Sequence, residues 1–382
     1  MDIEAPQALL GGQSPAQFMR RHWQRKPLLV RQAWPGVQPP LLRSALFGLA
    51  RRDDVESRLV VQQGGGWQLR RGPLPRRALP PLRQAGCTLL VQGLDLHVEA
   101  AHRMLRHFDF VPLARRDDLM LSWASDGGGV GPHLDAYDVF LLQVQGRRRW
   151  RIGRIAEPAA AAWIEDAPLK ILRHFAPEQD WLLDPGDMLY LPPGWAHEGT
   201  AVGECMTCSI GFRAASRAEL ADDLLSRLAD GDALAQAERR YRDAGQPATA
   251  SPGQVPAALQ AFARRAVSDA LRQPGAVERA LGESLSEPKA EVWFDAMTGA
   301  PATSAAVHVD ARSRLLYDDS HIYFNGESFG ASGRDARLLR SLADSGRLGA
   351  AERRRLSPAA SALLNGWLRA GWLREEDGNE PG

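Results

Sequence analysis

Three side chains in this sequence have the types and spacing to hold a redox metal together: His133, Asp135 and, well downstream, His197. Side chains alternate faces along a strand, so His133 and Asp135, read on one strand, project to the same side. The run from Asp184 to His197 opens on a Pro185-Gly186 turn, continues as an apolar strand over Met188 to Leu191, and bends at Pro192-Pro193-Gly194, a geometry that returns His197 to the first strand. Two imidazoles and one carboxylate on one face of an octahedron leave three positions open, as iron(II) requires to take a bidentate 2-oxoacid and dioxygen. A zinc site closes as a tetrahedron instead. A lone His-x-Asp arises readily by chance, and the turn, strand and terminal histidine supply its weight. Cys205 and Cys208 form a lone CxxC inside a strand-like run and are expected to be core residues rather than a zinc pair.

A 2-oxoacid needs an anchor for its distal carboxylate. After the Gln145-Gly146 turn, Arg147, Arg149 and Arg151 share one strand face, while Arg148 shares the other with Trp150 and Ile152 and therefore points inward. A buried guanidinium is costly unless paired, and its fork matches a carboxylate. No acid in the chain is an obvious partner, so a ligand carboxylate is expected to supply one. Ser122 and Thr207 are further candidates to hydrogen-bond the co-substrate. For the substrate, Tyr137 falls on the expected face of His133 and Asp135, and Asp118, Met120 and Ser122 share a face of the strand before the glycine run 127–129. A carboxylate at Asp118 suits a cationic target, although Asp117 and Asp118 also read as a solvated strand end.

The elements that must position these residues are mostly short strands, from Arg58 to about Phe212, separated by glycine and proline turns and interrupted by a helix near Val98 to Phe108. Such spacing predicts a sandwich or barrel. Ser14-Pro15-Ala16-Gln17 is a capping box that opens a lead-in helix. A second box, Ser216 to Glu219, begins a helical region whose faces carry Leu220, Leu224, Leu225 and Leu228, then, past a break over 246–253, Leu259, Phe262, Val267 and Leu271. That region reads either as a pair packed on its own chain or as a dimerisation bundle. The last hundred or so residues contain Asn325-Gly326, a two-residue hairpin signal, with two helices after it, which fits a small winged-helix-like unit. Three segments are expected: 1–215, 216–282 and 283–382.

Over 382 residues the formal net charge is +1, so no global basic field favours direct nucleic-acid binding. Hydrophobic residues make up 44% and charged residues 24%, and no stretch of about 18 apolar residues exists to span a membrane. Three cysteines and an opening segment without the basic and apolar regions of a secretion signal give the expectation of a cytoplasmic protein.

The runs GGGVGPHLDAYDVFLLQVQGRRRWRIG (127–153), PGDMLYLPPGWAHEG (185–199) and FMRRHWQRKPLLVRQAWPG (18–36) resemble the JmjC-type ribosomal oxygenases, specifically their bacterial protein-arginine hydroxylases. The resemblance implies a mainly β fold with α elements: a JmjC/cupin double-stranded β-helix barrel, a helical dimerisation region and a winged-helix-like C-terminal domain. It also implies Fe(2+) at His133, Asp135 and His197, with 2-oxoglutarate and O2 as co-substrates and ascorbate as an aid in vitro. Arg148 falls at the family's co-substrate arginine. The implied reaction turns 2-oxoglutarate into succinate and carbon dioxide while hydroxylating an arginine β-carbon of a large-subunit ribosomal protein. A related oxygenase acting on a histidine or methyl-lysine side chain, and a non-catalytic metal-binding cupin regulator, are the alternatives.

Overall fold

The computed structural model describes residues 2–376 apart from 82, 156–160, 231–239, 245–246, 250, 298, 300 and 302–304, so part of the expected break over 246–253 lies outside the described residues. The chain divides into two compact units, Met1–Ala214 and Ala215–Gly382.

The first unit begins with helix α1 (Pro15–Arg21), closed by the expected capping box: Ser14 Oγ accepts from Gln17 N, and Gln17 Oε1 accepts from Ser14 N, both at 3.2 Å. Phe18 on this helix is fully buried, with its ring centroid 5.5 Å from Phe140 and 4.9 Å from Tyr190. Burial of such a ring contributes roughly 1.5–3 kcal/mol and ties the lead-in to the sheet behind it.

Nine strands build that sheet: β1 (Leu28–Val30), β2 (Ser57–Gln63), β3 (Gly66–Arg71), β4 (Cys87–Val91), β5 (Arg116–Ala124), β6 (Asp138–Arg154), β7 (Gln179–Leu183), β8 (Met188–Leu191) and β9 (Trp195–Phe212). Their order is β1-β8-β6-β9-β5-β4-β2-β3, with β7 also on β6, and every pairing is antiparallel. At 17 and 18 residues, β6 and β9 exceed the usual strand length of about 3–10 and serve both ends of a curled sheet. The first half of β6 pairs with β8 and its second half with β7, while β9 follows it throughout.

Alternation sorts the side chains. Phe140, Leu142 and Val144 of β6, with Met206, Cys208, Ile210 and Phe212 of β9, join the core shared with α1, α2 (Arg43–Leu49) and α3 (Glu99–Arg106). Val139, Leu141, Trp150, Ile152, Leu183, Leu189 and Leu191 form a second cluster on the barrel's inner face. Cys205 and Cys208 are both buried free thiols, in different clusters, as their spacing of three on a strand requires.

Two strand expectations are corrected. Residues 134–137 form a bend outside the ladder, and β6 begins only at Asp138; His133 joins the sheet by an isolated antiparallel bridge to His197. The expected Gln145-Gly146 turn does not divide two strands: Asp138–Arg154 is one strand with register shifts at Gln143/Gln145 and Gln145/Arg147.

The second unit starts with α4 (Arg217–Asp230), where Ser216 N donates to Glu219 Oε2 at 2.7 Å and Glu219 N donates to Ser216 Oγ at 3.2 Å. Helices α5 (Ala257–Arg272) and α6 (Ala276–Ser286) follow. Then come β10 (Val307–Val309), β11 (Leu315–Tyr317), β12 (His321–Phe324), β13 (Glu327–Gly330), α7 (Gly333–Ser345), β14 (Arg347–Leu348), α8 (Ala350–Arg353), α9 (Pro358–Arg369) and β15 (Leu373–Glu375). They form two three-stranded sheets, β14-β10-β15 and β11-β12-β13. Asn325 and Gly326, at φ +49° and +88°, make the expected primed hairpin turn. The hydroxyl of Tyr323 donates to Glu278 O of α6 at 3.3 Å, so the helix that contains residues 282 and 283 packs on the hairpin sheet. No helix among the described residues is long and apolar enough to cross a membrane.

Candidate functional site

The bridge between His133 and His197 sets the site's geometry from the backbone. Ile152 of β6 lies opposite His197 on one side of β9, and His133 on the other, so both imidazoles are held where the ladder frays into the 134–137 bend. That bend turns Asp135 back onto the histidines: its Oδ1 is 4.0 Å from His133 Nε2 and its Oδ2 is 3.5 Å from His197 Nε2. The three candidate ligand atoms lie within 4.8 Å of one another, and no other group of three or more His, Cys, Asp or Glu side chains among the described residues does so. The expected triad is thus assembled, by a bend and a bridge rather than by one strand face.

Each imidazole is oriented by its second nitrogen. His133 Nδ1 lies 2.9 Å from Gly131 O and His197 Nδ1 lies 3.2 Å from Trp195 O. A carbonyl only accepts, so the proton sits on Nδ1 and the Nε2 lone pairs face Asp135, the arrangement in which histidine binds a metal. Burial, and then the neighbouring His133, push the His197 pKa down to about 4, which keeps it neutral and ready to ligate.

Arg148 points inward, as its face-sharing with Trp150 and Ile152 requires, and is only 5% exposed. Its Nη1 donates to Ser122 Oγ at 3.1 Å, while Nε and Nη2 are buried without a hydrogen-bond partner among the described residues. An unpaired buried cation costs several kcal/mol, and a carboxylate bound across the two orphaned N–H groups removes that cost. Arg148 lies four residues along β6 from Ile152, the residue opposite His197, or about 13 Å at strand rise. Both residues lie on the same face of β6. Donor set and orphaned guanidinium together fit an octahedral metal and a dicarboxylate between metal and anchor.

The remaining expected residues take more specific places. Ser122 Oγ accepts from Arg148 and donates to Thr207 O at 3.3 Å, so it supports the Arg148 guanidinium. Thr207 spends its hydroxyl on Gln143, donating to Oε1 at 2.8 Å. Asp118 is buried rather than a solvated strand end, and accepts from Gly93 N at 2.8 Å. Met120 is half-buried on the same face of β5, opposite the core residues Leu119 and Leu121. Tyr137 is half-buried in the bend rather than on a strand; burial, then the charges of Asp135, Asp118 and Asp117, push its phenol pKa up, so it stays neutral.

Two residues escaped sequence reasoning. Gln143 is fully buried, and only its inward parity could have marked it. Trp150 served as a face marker but is part of the site: its ring is 5.8 Å from the His197 ring and 5.8 Å from Arg148 Cζ. Gly199, its cross-strand partner, admits the indole, because a Cβ there would lie 2.6 Å from the ring.

Comparisons with known proteins agree with this geometry. Residues 103–220 match the JmjC domain family and residues 269–374 the ROXA-like winged helix. The chain is 36% identical over 282 residues to the ribosomal protein uL16 3-hydroxylase of Escherichia coli, covering 72% of each protein. The crystal structure of E. coli YcfD superposes with a TM-score of 0.82 at 30% identity, over 94% of this chain and 98% of that one. A structure of YcfD, a ribosomal oxygenase, in complex with cobalt and 2-oxoglutarate superposes with a TM-score of 0.79 at 30% identity, over 95% and 98%. With a curled antiparallel barrel, a His-Asp-His cluster and a C-terminal winged helix in one chain, this protein belongs to the JmjC-domain ribosomal oxygenases.

Proposed function

We propose that this chain is an iron(II)- and 2-oxoglutarate-dependent protein hydroxylase that acts on an arginine β-carbon of the large-subunit ribosomal protein uL16. The observation that carries the reaction class is the buried, partly unpaired Arg148 on the face of β6 that also carries Ile152, the residue opposite His197 of the metal cluster. A barrel that only bound metal would have no use for an inward cation awaiting a carboxylate. The substrate assignment draws on the name of the E. coli relative, a uL16 3-hydroxylase.

His133, Asp135 and His197 would hold Fe(2+), and Arg148, supported by Ser122, the distal carboxylate of 2-oxoglutarate. Iron(II) with 2-oxoglutarate and O2 supplies oxidative decarboxylation to succinate and carbon dioxide, coupled to insertion of one oxygen atom into a C–H bond. The protein's own work is positioning. Asp118 offers a buried carboxylate for a guanidinium, and its tie to Gly93 fixes that carboxylate; Tyr137, kept as a neutral phenol, offers a ring for the target's aliphatic stem. The inner apolar cluster keeps bulk water from the reacting centre.

The assignment extends to a cytoplasmic enzyme whose α4–α6 region, residues 216–282 in the three-segment reading, forms a homodimer interface. Support comes from Leu225, Leu259, Val267 and Leu271, which are exposed along these helices.

The test is incubation of the iron-loaded protein with 2-oxoglutarate, ascorbate and recombinant uL16. The expected result is succinate release together with a mass gain of one oxygen atom on a single arginine. Succinate release with no oxygen on uL16 would overturn the substrate and leave the reaction class; no succinate under any condition, with iron bound, would overturn the enzyme.

A further inference from the structure

On β6, the residues that face the barrel interior change parity. Before the register shifts they are odd-numbered, Val139 and Leu141 in the inner cluster and Gln143 below it; after the shifts they are even-numbered, Arg148, Trp150 and Ile152. The partner strand β9 undergoes no such change: Thr207 opposite Gln143 and His197 opposite Ile152 are both odd. Without this switch, an even-numbered Arg148 would face away from the cavity. The switch occupies residues 144–147, and it is there that Gln143 acts.

Gln143 is fully buried, and all of its amide is committed to the switch. Its Nε2 donates to Gln145 O at 2.8 Å and to Gly146 O at 3.1 Å, two carbonyls that lie within the register shifts. Its Oε1 accepts from Thr207 Oγ1 at 2.8 Å. Gly146 completes the turn at φ +59°, where a Cβ would lie 2.1 Å from Glu204 O, so the backbone path is as narrow as the side-chain brace is specific. Thr207 then links the brace to the anchor from the other side: its carbonyl accepts from Ser122 Oγ, which accepts from Arg148 Nη1.

We infer that Gln143 is a positioning residue for co-substrate binding: by clamping the carbonyls of Gln145 and Gly146 and holding Thr207, it fixes the parity switch that aims the Arg148 guanidinium into the cavity. This rests on the reading of Arg148 as the 2-oxoglutarate anchor. Gln143 touches neither metal nor co-substrate in this role, and acts only through β6 and the Thr207–Ser122–Arg148 chain.

The experiment compares the full-length wild type with Gln143→Met, which keeps the volume and removes every hydrogen bond, Thr207→Val, which removes only the donor to Oε1, and Thr207→Ser, which restores it. Cobalt(II) affinity and 2-oxoglutarate affinity of the cobalt-loaded protein are measured separately by calorimetry, beside thermal unfolding and hydrogen exchange of the metal-free protein over 144–149. The expected result is 2-oxoglutarate binding about tenfold weaker in Gln143→Met, weakened to a lesser degree in Thr207→Val and near wild type in Thr207→Ser. Cobalt affinity stays unchanged throughout, and exchange over 144–149 quickens in Gln143→Met. Equal losses of cobalt and 2-oxoglutarate affinity would mean general damage and overturn the inference. So would wild-type 2-oxoglutarate affinity in a folded Gln143→Met. Arg148→Ala, run alongside, separates the two readings, because its failure to weaken 2-oxoglutarate would sink the anchor itself. Should Gln143→Met not fold, the contrast between Thr207→Val and Thr207→Ser decides: equal affinities reject the brace.

Discussion

His133 and His197 are bound to each other by backbone: His133 N donates to His197 O at 3.0 Å, and His197 N to His133 O at 2.9 Å. Their rings stand 4.2 Å apart between centroids on this two-residue bridge. The spacing of the two imidazoles is therefore set by an antiparallel pair and does not rely on a metal to draw them together. Asp135 alone supplies the negative charge and reaches the histidines from a bend.

That division of labour predicts a clean separation in Asp135→Ala. The histidine bridge remains, so the fold and its thermal midpoint stay close to wild type, while cobalt(II) affinity falls at least about 100-fold, more than loss of an outer supporting group costs. Calorimetry on the variant reads this directly, with turnover absent in parallel. Wild-type metal affinity would mean that the cluster is not the metal centre.

Arg148 poses a trade between stability and binding. Two of its nitrogens are buried without a hydrogen-bond partner among the described residues, so Arg148→Met is expected to raise the unfolding free energy of the ligand-free protein by about 1–4 kcal/mol, read as a higher melting temperature. The same variant loses the stabilisation that 2-oxoglutarate gives the metal-loaded wild type. Arg148→Lys keeps the charge but not the fork, and should recover only part of the affinity. Thermal scans with and without 2-oxoglutarate check both halves; a destabilised ligand-free Arg148→Met would show that the guanidinium is satisfied by the protein itself.

The site was readable where chemistry restricts residue type and local alternation sets direction. Two histidines and an aspartate at that spacing have few other uses, and Arg148 was readable because it alternates with Trp150 and Ile152. What escaped depends on chain geometry that alternation alone does not encode. The 134–137 bend breaks the period that was assumed to hold His133, Asp135 and Tyr137 on one strand, yet brings the triad together. The parity switch in β6 made two strands seem necessary where one bends. Asp118 looked like a solvated strand end because its partner, Gly93, lies 25 residues away. Helix α6 was unmarked because its buried face is small: Ala276, Ala280 and Gly282, the last lying under the Tyr323 ring.

Gly199 is expected to be intolerant of any side chain. A Cβ would sit 2.6–2.9 Å from three atoms of the Trp150 ring, which cannot retreat without disturbing its contacts with His197 and Arg148. Gly199→Ala should cost about 1–3 kcal/mol in stability by overpacking. It should also weaken both cobalt and 2-oxoglutarate binding, unlike Gln143→Met. Denaturant unfolding gives the first figure and calorimetry the second; an unchanged 2-oxoglutarate affinity would remove Trp150 from the site.

The proposed dimer makes a prediction confined to α5. Val267 and Leu271, 56% and 46% exposed, lie one turn apart on the same helix face. Val267→Glu with Leu271→Glu should convert a dimer to a monomer by light scattering at micromolar concentration, with the melting of the barrel unit unchanged. A wild-type monomer under those conditions rejects the interface.

The C-terminal unit should show its own acid sensitivity, centred on Asp310. This carboxylate is 3% exposed, and burial alone would raise its pKa; Arg312, donating to Oδ1 at 2.8 Å, and Arg374, donating to Oδ2 at 2.5 Å, outweigh that and hold it below the usual carboxylate range. A carboxyl whose folded pKa is depressed stabilises the fold above its unfolded pKa, and that contribution fades as pH falls through the folded value. Asp310→Ala leaves Arg312 only Trp293 O and the exposed Asp295 as partners and should destabilise the unit by about 1–3 kcal/mol at neutral pH. The gap between wild type and variant should narrow from about pH 5 downward, as the wild-type carboxyl takes up its proton. Urea unfolding of both proteins across that range measures the gap; one that stayed constant with pH would mean that the Asp310 charge contributes nothing and that the loss in the variant comes from packing alone.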